Sequence, residues 1–206
     1  MISASKLSRA MGIGEDAAAL WIAHVNTALD LCGCKTPEHV SMWIAQVGHE
    51  SANLTRMVES LNYSADGLVK TWPTRFTAES AARVGRTASK AADQEAIAEI
   101  VYGGRLGNVY AGDGWRFRGR GPIQVTGRAN YRECGQAIGH DLEQEPSLLE
   151  LRSTGAASTA WYWGKHRLTR YGGDVVAVTR AINGGTNGIE DRQRRYDKAL
   201  TVLSGR

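Results

Sequence analysis

Residues 37–50 read P-E-H-V-S-M-W-I-A-Q-V-G-H-E, and within them Val40, Trp43, Ile44 and Val47 recur at the three-and-four spacing of a helix that turns one face to a core. Glu50 follows Val47 by three, so it sits on the border of that apolar stripe. Partial burial makes a carboxyl costly to ionise, and a carboxyl that keeps its proton near neutral pH is what a general acid needs. This stretch therefore predicts both a helical core and a candidate acid at its end.

A second acidic residue, Glu59, lies nine positions on. Were the helix to continue, a rise of about 1.5 Å and a turn of about 100° per residue would put the two carboxyls roughly 13 Å apart on opposite faces. A break is required, and Asn53 with the polar residues around it is the place for one, because Ser and Asn side chains compete for backbone hydrogen bonds. With such a break the pair can meet the roughly 6.5–9.5 Å separation that an inverting glycosidase uses to hold a water.

The rest of the chain is overwhelmingly helical in pattern. Trp21, Ile22, Val25, Ala28 and Leu29 form one stripe; Ala156, Ala157, Ala160, Trp161 and Gly164 a second; Val175, Val178, Thr179 and Ile182 a third. A last helix carries Ile189, Tyr196, Ala199, Leu200 and Leu203 on one face, and Arg192 falls on that same face while Arg194 and Arg195 point elsewhere. A cation there calls for a paired carboxylate or a cleft. Between Ser64 and Asn108 an Ala-rich, charged section has helical periodicity, clearest from Ala91 to Val101, and reads as an inserted small helical lobe that ends near Gly103 and Gly104.

A chain of 206 residues with 42% hydrophobic and 22% charged content suits one soluble catalytic domain, 1–206, with a full core. No segment approaches the roughly 18 apolar residues of a membrane span, and the N-terminus lacks a basic region followed by an apolar run. Synthesis in the cytosol is expected. Cys32, Cys34 and Cys134 are an odd set that makes no disulfide framework and reads as reduced, partly buried thiols; Cys32 and Cys34 with His39 match no common zinc spacing. His49-Glu50 is not a zinc-peptidase motif either, since Asn53 stands where its second His would be. Metal and cofactor are both expected to be none.

The net charge of +4 suggests an acidic partner. Arginines gather at 116, 118, 120, 128 and 132 and again at 192, 194 and 195, which suits nucleic acid or an anionic wall polymer such as peptidoglycan. The central segment from Gly112 to Tyr131, G-D-G-W-R-F-R-G-R-G-P-I-Q-V-T-G-R-A-N-Y, has glycines that admit a close ligand and a stiffening Pro122, but no phosphate-loop Lys-Ser/Thr pair. Within it Ile123 to Thr126 reads as a short strand with Gln124 and Thr126 on one face, where an amide and a hydroxyl suit sugar hydroxyls or a positioned water. N-G-G-T-N-G at 183–188 reads as a helix C-cap and turn.

Taken together, H-E-S at His49–Ser51, Glu59, G-R-G-P-I-Q-V-T-G-R-A-N-Y from Gly119 to Tyr131, I-N-G-G from Ile182 to Gly185, and Asp191-Arg192 stand in the order and spacing of family 19 glycoside hydrolases. The chain resembles that chitinase-like family from about Trp43 to Tyr196, and its short, disulfide-free form resembles the bacteriophage endolysin branch. The resemblance implies a mainly α, lysozyme-like two-lobed fold with a cleft between the lobes. It implies an inverting, metal-free hydrolase of β-1,4 bonds between amino sugars of peptidoglycan, with chitinase or a silent wall-binding module as alternatives. Glu50 matches the general acid, Glu59 the general base, and Thr126 stands where the family has Ser to hold the water. Gln124, Asn130 and Asn183 match sugar-contacting positions, and Arg192 an arginine near the base; Ala129 replaces an aromatic residue of the chitinases. Partners follow as peptidoglycan glycan strands, with no nucleic acid, no stable membrane insertion and a monomeric state. The enzyme would be made in the host cytoplasm and act on the wall after export or membrane permeabilisation.

Overall fold

In the computed structural model, which describes residues 1–205, the chain is mainly helical. The helices are α1 (Ala4–Met11), α2 (Glu15–Leu31), α3 (Pro37–Glu50), α4 (Ala65–Thr71), α5 (Ala78–Val84), α6 (Gln94–Tyr102), α7 (Asp113–Arg116), α8 (Arg128–Ile138), α9 (Arg152–His166), α10 (Val175–Asn183) and α11 (Ile189–Ser204). Among the described residues β-pairing is confined to isolated bridges. Two compact units divide the chain: Met1–Met57, Gly121–Gln124 and Ser147–Arg206 make the first, Val58–Arg120 and Val125–Pro146 the second.

The first unit is organised on α3, which packs along α11, while α2 lies on α9 and α1 on both α2 and α11. Thr36 caps α3, its side chain accepting from the His39 N–H at 3.3 Å, and Pro37 follows at the first turn, where its missing N–H costs nothing. Trp43, Ile44 and Val47 are fully buried, as the spacing predicts. Such residues contribute roughly 1.5–3 kcal/mol each through removal of apolar surface from water. The indole N–H of Trp43, which burial alone would strand, donates to the Thr159 hydroxyl at 3.1 Å.

On α9 the expected stripe is displaced. The buried face runs through Thr154, Ala156, Ser158, Thr159, Ala160 and Trp163, whereas Trp161 is half-buried and Gly164 exposed. Small hydroxyl residues fill that face because each bonds a carbonyl of the preceding turn, as Ser158 does with Gly155 and Thr159 with Ala156, both at 2.7 Å. A search for apolar residues alone passes over them.

After Glu50 the chain breaks. Ala52, Asn53 and Leu54 all have positive φ, of 48°, 62° and 64°. Side-chain-bearing residues resist this region by about 1–2 kcal/mol each, so local bonds must hold it. The Ser51 hydroxyl accepts from the Leu54 N–H at 2.8 Å, the Asn53 N–H donates to the Gly48 carbonyl at 2.8 Å, and the Asn53 side-chain oxygen accepts from Arg195. Leu54 is buried. The helix ends where the polar run predicts.

The second unit has its own core of Leu61, Leu68, Phe76, Ala81, Ile97, Ala98 and Val101, with Tyr63 and Trp72 packed edge to face at its margin. Section 64–108 supplies α4, α5 and α6 to it, and the unit extends beyond that section on both sides. Each of the three helices begins at a capping side chain: Ser64 for α4, Thr77 for α5 and Asp93 for α6. The Asp93 cap puts the start of α6 three residues after Ala91.

The expected strand at Ile123–Thr126 is instead a reversal. Arg120 and Val125 exchange both backbone hydrogen bonds, at 3.1 and 2.9 Å, and residues 121–124 form the turn between them. Gly121 and Gln124 take φ of +75° and +51°, and the Gln124 backbone and side-chain amides both donate to the Gly121 carbonyl, at 3.1 and 2.9 Å. Gln124 and Thr126 therefore share no strand face. Turn chemistry at Gly121-Pro122 outweighs the strand preference of Ile123 and Val125, whose side chains are buried.

Candidate active site

Glu50 is the last residue of α3, with a side chain 24% exposed, and its Oε1 accepts from the Nη2 of Arg192. Arg192 itself is 2% exposed. A guanidinium so buried needs every donor placed, and three partners serve it: Glu50, the Gln46 side-chain oxygen, and the Asn187 carbonyl at 3.2 Å. Gln46 in turn donates to the Thr179 hydroxyl at 3.1 Å. Gln46 and Glu50 are one helical turn apart, so α3 presents both to the same guanidinium. The cation on an apolar helix face is thus accounted for by a carboxylate.

His49, beside Glu50, is fixed by Asp191: Nδ1 and Oδ2 lie 2.7 Å apart, and since the carboxylate can only accept, Nδ1 carries the proton. A Cβ at Gly188, whose φ is +69°, would come within 2.4 Å of the imidazole, so only glycine lets the loop close over this ring. Asp191 also accepts from Arg195 at 2.6 Å and from Arg194. Burial opposes the Asp191 charge, but the hydrogen bonds from Arg195 and His49 outweigh it and bring the pKa down from 3.8 to about 2. A depressed folded-state pKa gives stability that is present above the unfolded value and lost as pH falls through the folded one. The Asp191→Asn variant should accordingly be less stable than wild type at neutral pH, and the gap should close between about pH 4 and pH 2. Urea midpoints across that range check it; a gap that stays constant assigns the loss to packing instead.

Tyr162 shares this environment. Burial, then the negative charge of Glu50, push its pKa up, which keeps the phenol a donor; it donates to the Ile182 carbonyl at 3.3 Å.

In the second unit Glu59 is held at both carboxylate oxygens. Oε1 accepts from the Tyr102 hydroxyl at 2.6 Å and Oε2 from the Gly119 N–H at 3.1 Å, while the Glu59 N–H donates to the Gly119 carbonyl at 2.8 Å. Val58 and Arg120 bridge antiparallel next to it. The glycine-rich segment thus serves the carboxylate with backbone.

The other expected site residues are placed as follows. Thr126 and Asn130 belong to the second unit, where the Asn130 amide donates to the Thr126 carbonyl at 2.8 Å. Gln124 lies in the turn described above. Asn183 ends α10, its Oδ1 accepting from the Gly185 N–H at 2.9 Å and its amide donating to the Asn187 carbonyl at 3.2 Å, so it braces the 183–188 loop. Gln46, His49 with Asp191, Tyr102 and Tyr162 had no role from sequence. His49 and Asp191 stood in the quoted motifs without a role, and Gln46, a polar residue one turn before Glu50, carried a local signal.

The central arginines are spent within the second unit. Arg116 donates to the carbonyls of Glu143 and Gln144, Arg118 stacks 3.6 Å over the Trp115 ring, and Arg120 bonds the Arg116 carbonyl and the Tyr131 hydroxyl. Arg128 pairs with Asp113 and Glu143, and Arg132 with Glu143. Arg128 and Arg132 are thus held in ion pairs, and Arg116, Arg118 and Arg120 by backbone carbonyls, a hydroxyl and a ring face, while Arg116 and Arg132 remain exposed. Cys32, half-buried, and Cys34 and Cys134, both buried, form no disulfide, and among the described residues no group of three His, Cys, Asp or Glu is arranged to hold a metal ion.

Residues 77–203 match the family described as Chitinase class I, glycoside hydrolase family 19, a span that takes in Thr126, Asn130, Asn183 and Arg192, with Glu50 and Glu59 ahead of it. A glycosyl hydrolase family 19 domain-containing protein of Haemophilus influenzae is 38% identical over 184 residues, covering 86% of each chain. An acidic 27 kDa endochitinase of Solanum lycopersicum is 40% identical over 130 residues, covering 62% of this chain and 53% of its own length. Among solved structures, chitinase C from Streptomyces griseus superposes with a TM-score of 0.61 at 19% identity, over 98% of this chain and 76% of that one. A bacterial family 19 chitinase gives 0.60 at 20% identity, over 98% and 94%. These likenesses fix the fold as the lysozyme-like helical fold of those chitinases. With a family match over more than half its length and a relative aligned along most of both chains, this protein belongs to glycoside hydrolase family 19 and is a chitinase-like glycoside hydrolase.

Proposed function

We propose that this hydrolase is a peptidoglycan-degrading enzyme of the bacteriophage endolysin type, cutting β-1,4 bonds between amino sugars with inversion. The choice of polymer rests on where its free positive charge lies. Lys70, Arg75, Arg83, Arg86, Lys90 and Arg105 of section 64–108 are exposed on the second unit, Lys90 and Arg105 each also donating to a backbone carbonyl, and these six cations stand among five carboxylates, Asp66, Glu79, Asp93, Glu95 and Glu99. Peptidoglycan carries carboxylates on its lactyl and peptide groups, whereas chitin is neutral. Exposed cations gain from the first and little from the second.

In this reading Glu50 protonates the departing glycosidic oxygen. As that proton leaves, negative charge develops on its carboxyl next to the buried Arg192 guanidinium, which stabilises the transition state more than the ground state. Glu59, its carboxylate oriented by two donors, takes a proton from water on the opposite face of the sugar. The Thr126 hydroxyl orients that water, and Gln124, Asn130 and Asn183 line the sugar path. No nucleic acid or stable membrane insertion enters this scheme, and a monomer suffices. The enzyme would fold in the host cytoplasm and reach the wall once the membrane is breached.

The deciding experiment measures reducing ends released from purified peptidoglycan and from chitin oligomers in parallel. Peptidoglycan should be the better substrate, with an advantage that shrinks as added salt shortens the Debye length from about 10 Å at 0.1 M to about 3 Å at 1 M. Turnover of chitin oligomers alone would favour the second reading, a chitinase, which the plant endochitinase relatives support.

A further inference from the structure

We propose that Tyr102 is a positioning residue for the catalytic base, fixing the Glu59 carboxylate through its phenolic hydroxyl; this rests on the reading of Glu59 as the base. Two donors on different sides fix the plane of that carboxylate, Tyr102 at Oε1 and the Gly119 N–H at Oε2. An ionised carboxylate has about four acceptor sites, so two remain for a water and its proton. The arrangement restricts rotation about the side chain without consuming the group's capacity to act.

The phenol is well suited to that task because its own position is secured. Tyr102 closes α6, where Ile97, Ala98 and Val101 of the same helix are buried in the second unit's core. Its carbonyl accepts from the side-chain amide of Asn108 at 3.0 Å. Asn108 is wholly buried and uses its other amide atom to accept from the Arg128 N–H, at 2.8 Å, at the start of α8. Tyr102 is therefore tied to α8 as well as to α6. Burial, and then the neighbouring charge of Glu59, push the phenol's pKa up beyond any working pH. It stays protonated, so it can only donate to Glu59 and cannot compete with it for the proton of the attacking water.

The test compares kcat and KM on purified peptidoglycan fragments for Tyr102→Phe and for a series of fluorinated tyrosines placed at 102. The Phe variant keeps the ring but frees Oε1, and misplacement of a reacting group costs up to about 100-fold, so kcat should fall roughly 10- to 100-fold with KM little changed. The fluorinated residues keep the donor; 3-fluorotyrosine should restore kcat to near wild type, and kcat across the series should change with phenol acidity while KM stays flat. Retention of the ring and hydroxyl lets that series decide the matter even if the Phe variant unfolds. Wild-type kcat in the Phe variant, a change in KM alone, or a flat kcat across the series would overturn the inference. Glu59→Gln is measured alongside: if it turns over normally the base assignment itself fails, whereas an inactive Glu59→Gln beside a fully active Tyr102→Phe removes only the role of Tyr102.

Discussion

Replacing Glu50 by Gln should abolish hydrolysis while leaving the fold intact. The amide keeps the shape of the side chain and an oxygen that can still accept from the Arg192 guanidinium, so the buried cation is not left without a partner on α3. What is lost is the proton, and with it general acid assistance to the departing sugar oxygen, typically worth about 100- to 10,000-fold. The converse change separates the two roles of this pair. Arg192→Met removes the charge that stabilises the carboxylate left behind, and it also strands Gln46 in a buried site, so it should lower both rate and stability. Glu50→Gln keeps a hydrogen-bond acceptor but not the compensating charge, so it should lower the rate far more than the stability. Reducing-end release and thermal midpoints of the pure Glu50→Gln variant check this, and near-wild-type turnover would take Glu50 out of the mechanism.

Much of the first unit was legible in the order of its residues, and the reason is locality. The α3 stripe, its end at Glu50 and the break at Asn53 depend on contacts within one or two turns, and there the spacing of Val40, Trp43, Ile44 and Val47 is enough. Arg192 was legible for a different reason: charge on an otherwise apolar helix face demands a partner, and Glu50 supplies it. Two kinds of feature escaped. On α9, hydroxyl residues satisfied by their own helix pack as core, so Thr159 and Trp163 are buried where Trp161 and Gly164 were expected. At 121–124 the backbone reversal is decided by Gly121-Pro122 and by an amide that folds back on its own turn, and Ile123 within it and Val125 after it are buried without forming a strand.

The arginine run from 116 to 132 shows the limit of charge counting. Nothing local says that Asp113 and Glu143 will meet Arg128, since 15 positions separate Arg128 from each of them. The pairing depresses both carboxyl pKa values, Asp113 chiefly through Arg128 and Glu143 chiefly through Arg132. Charge that appears available in the sequence is in part committed in the structure. Tyr102 escaped for the same reason of distance, lying 43 positions from the carboxylate that it holds.

Glu59→Gln should be as damaging as Glu50→Gln, and the first-formed product of the wild-type enzyme should be the α-anomer. A glutamine at 59 can keep both contacts, its oxygen accepting from the Gly119 N–H and its amide donating to the Tyr102 hydroxyl oxygen, but it cannot take a proton from water. The substitution therefore removes the activation of the water while the frame around the side chain stays in place. The stereochemistry separates this scheme from one with a covalent intermediate. If Glu59 directs water to the face opposite the departing oxygen, a β-linked substrate gives α product in one displacement; attack by Glu59 itself followed by hydrolysis would give β. Proton NMR of the reducing end in the first minutes of reaction, before mutarotation, distinguishes them. Early β-anomer would show net retention and overturn the scheme in which Glu59 activates a water.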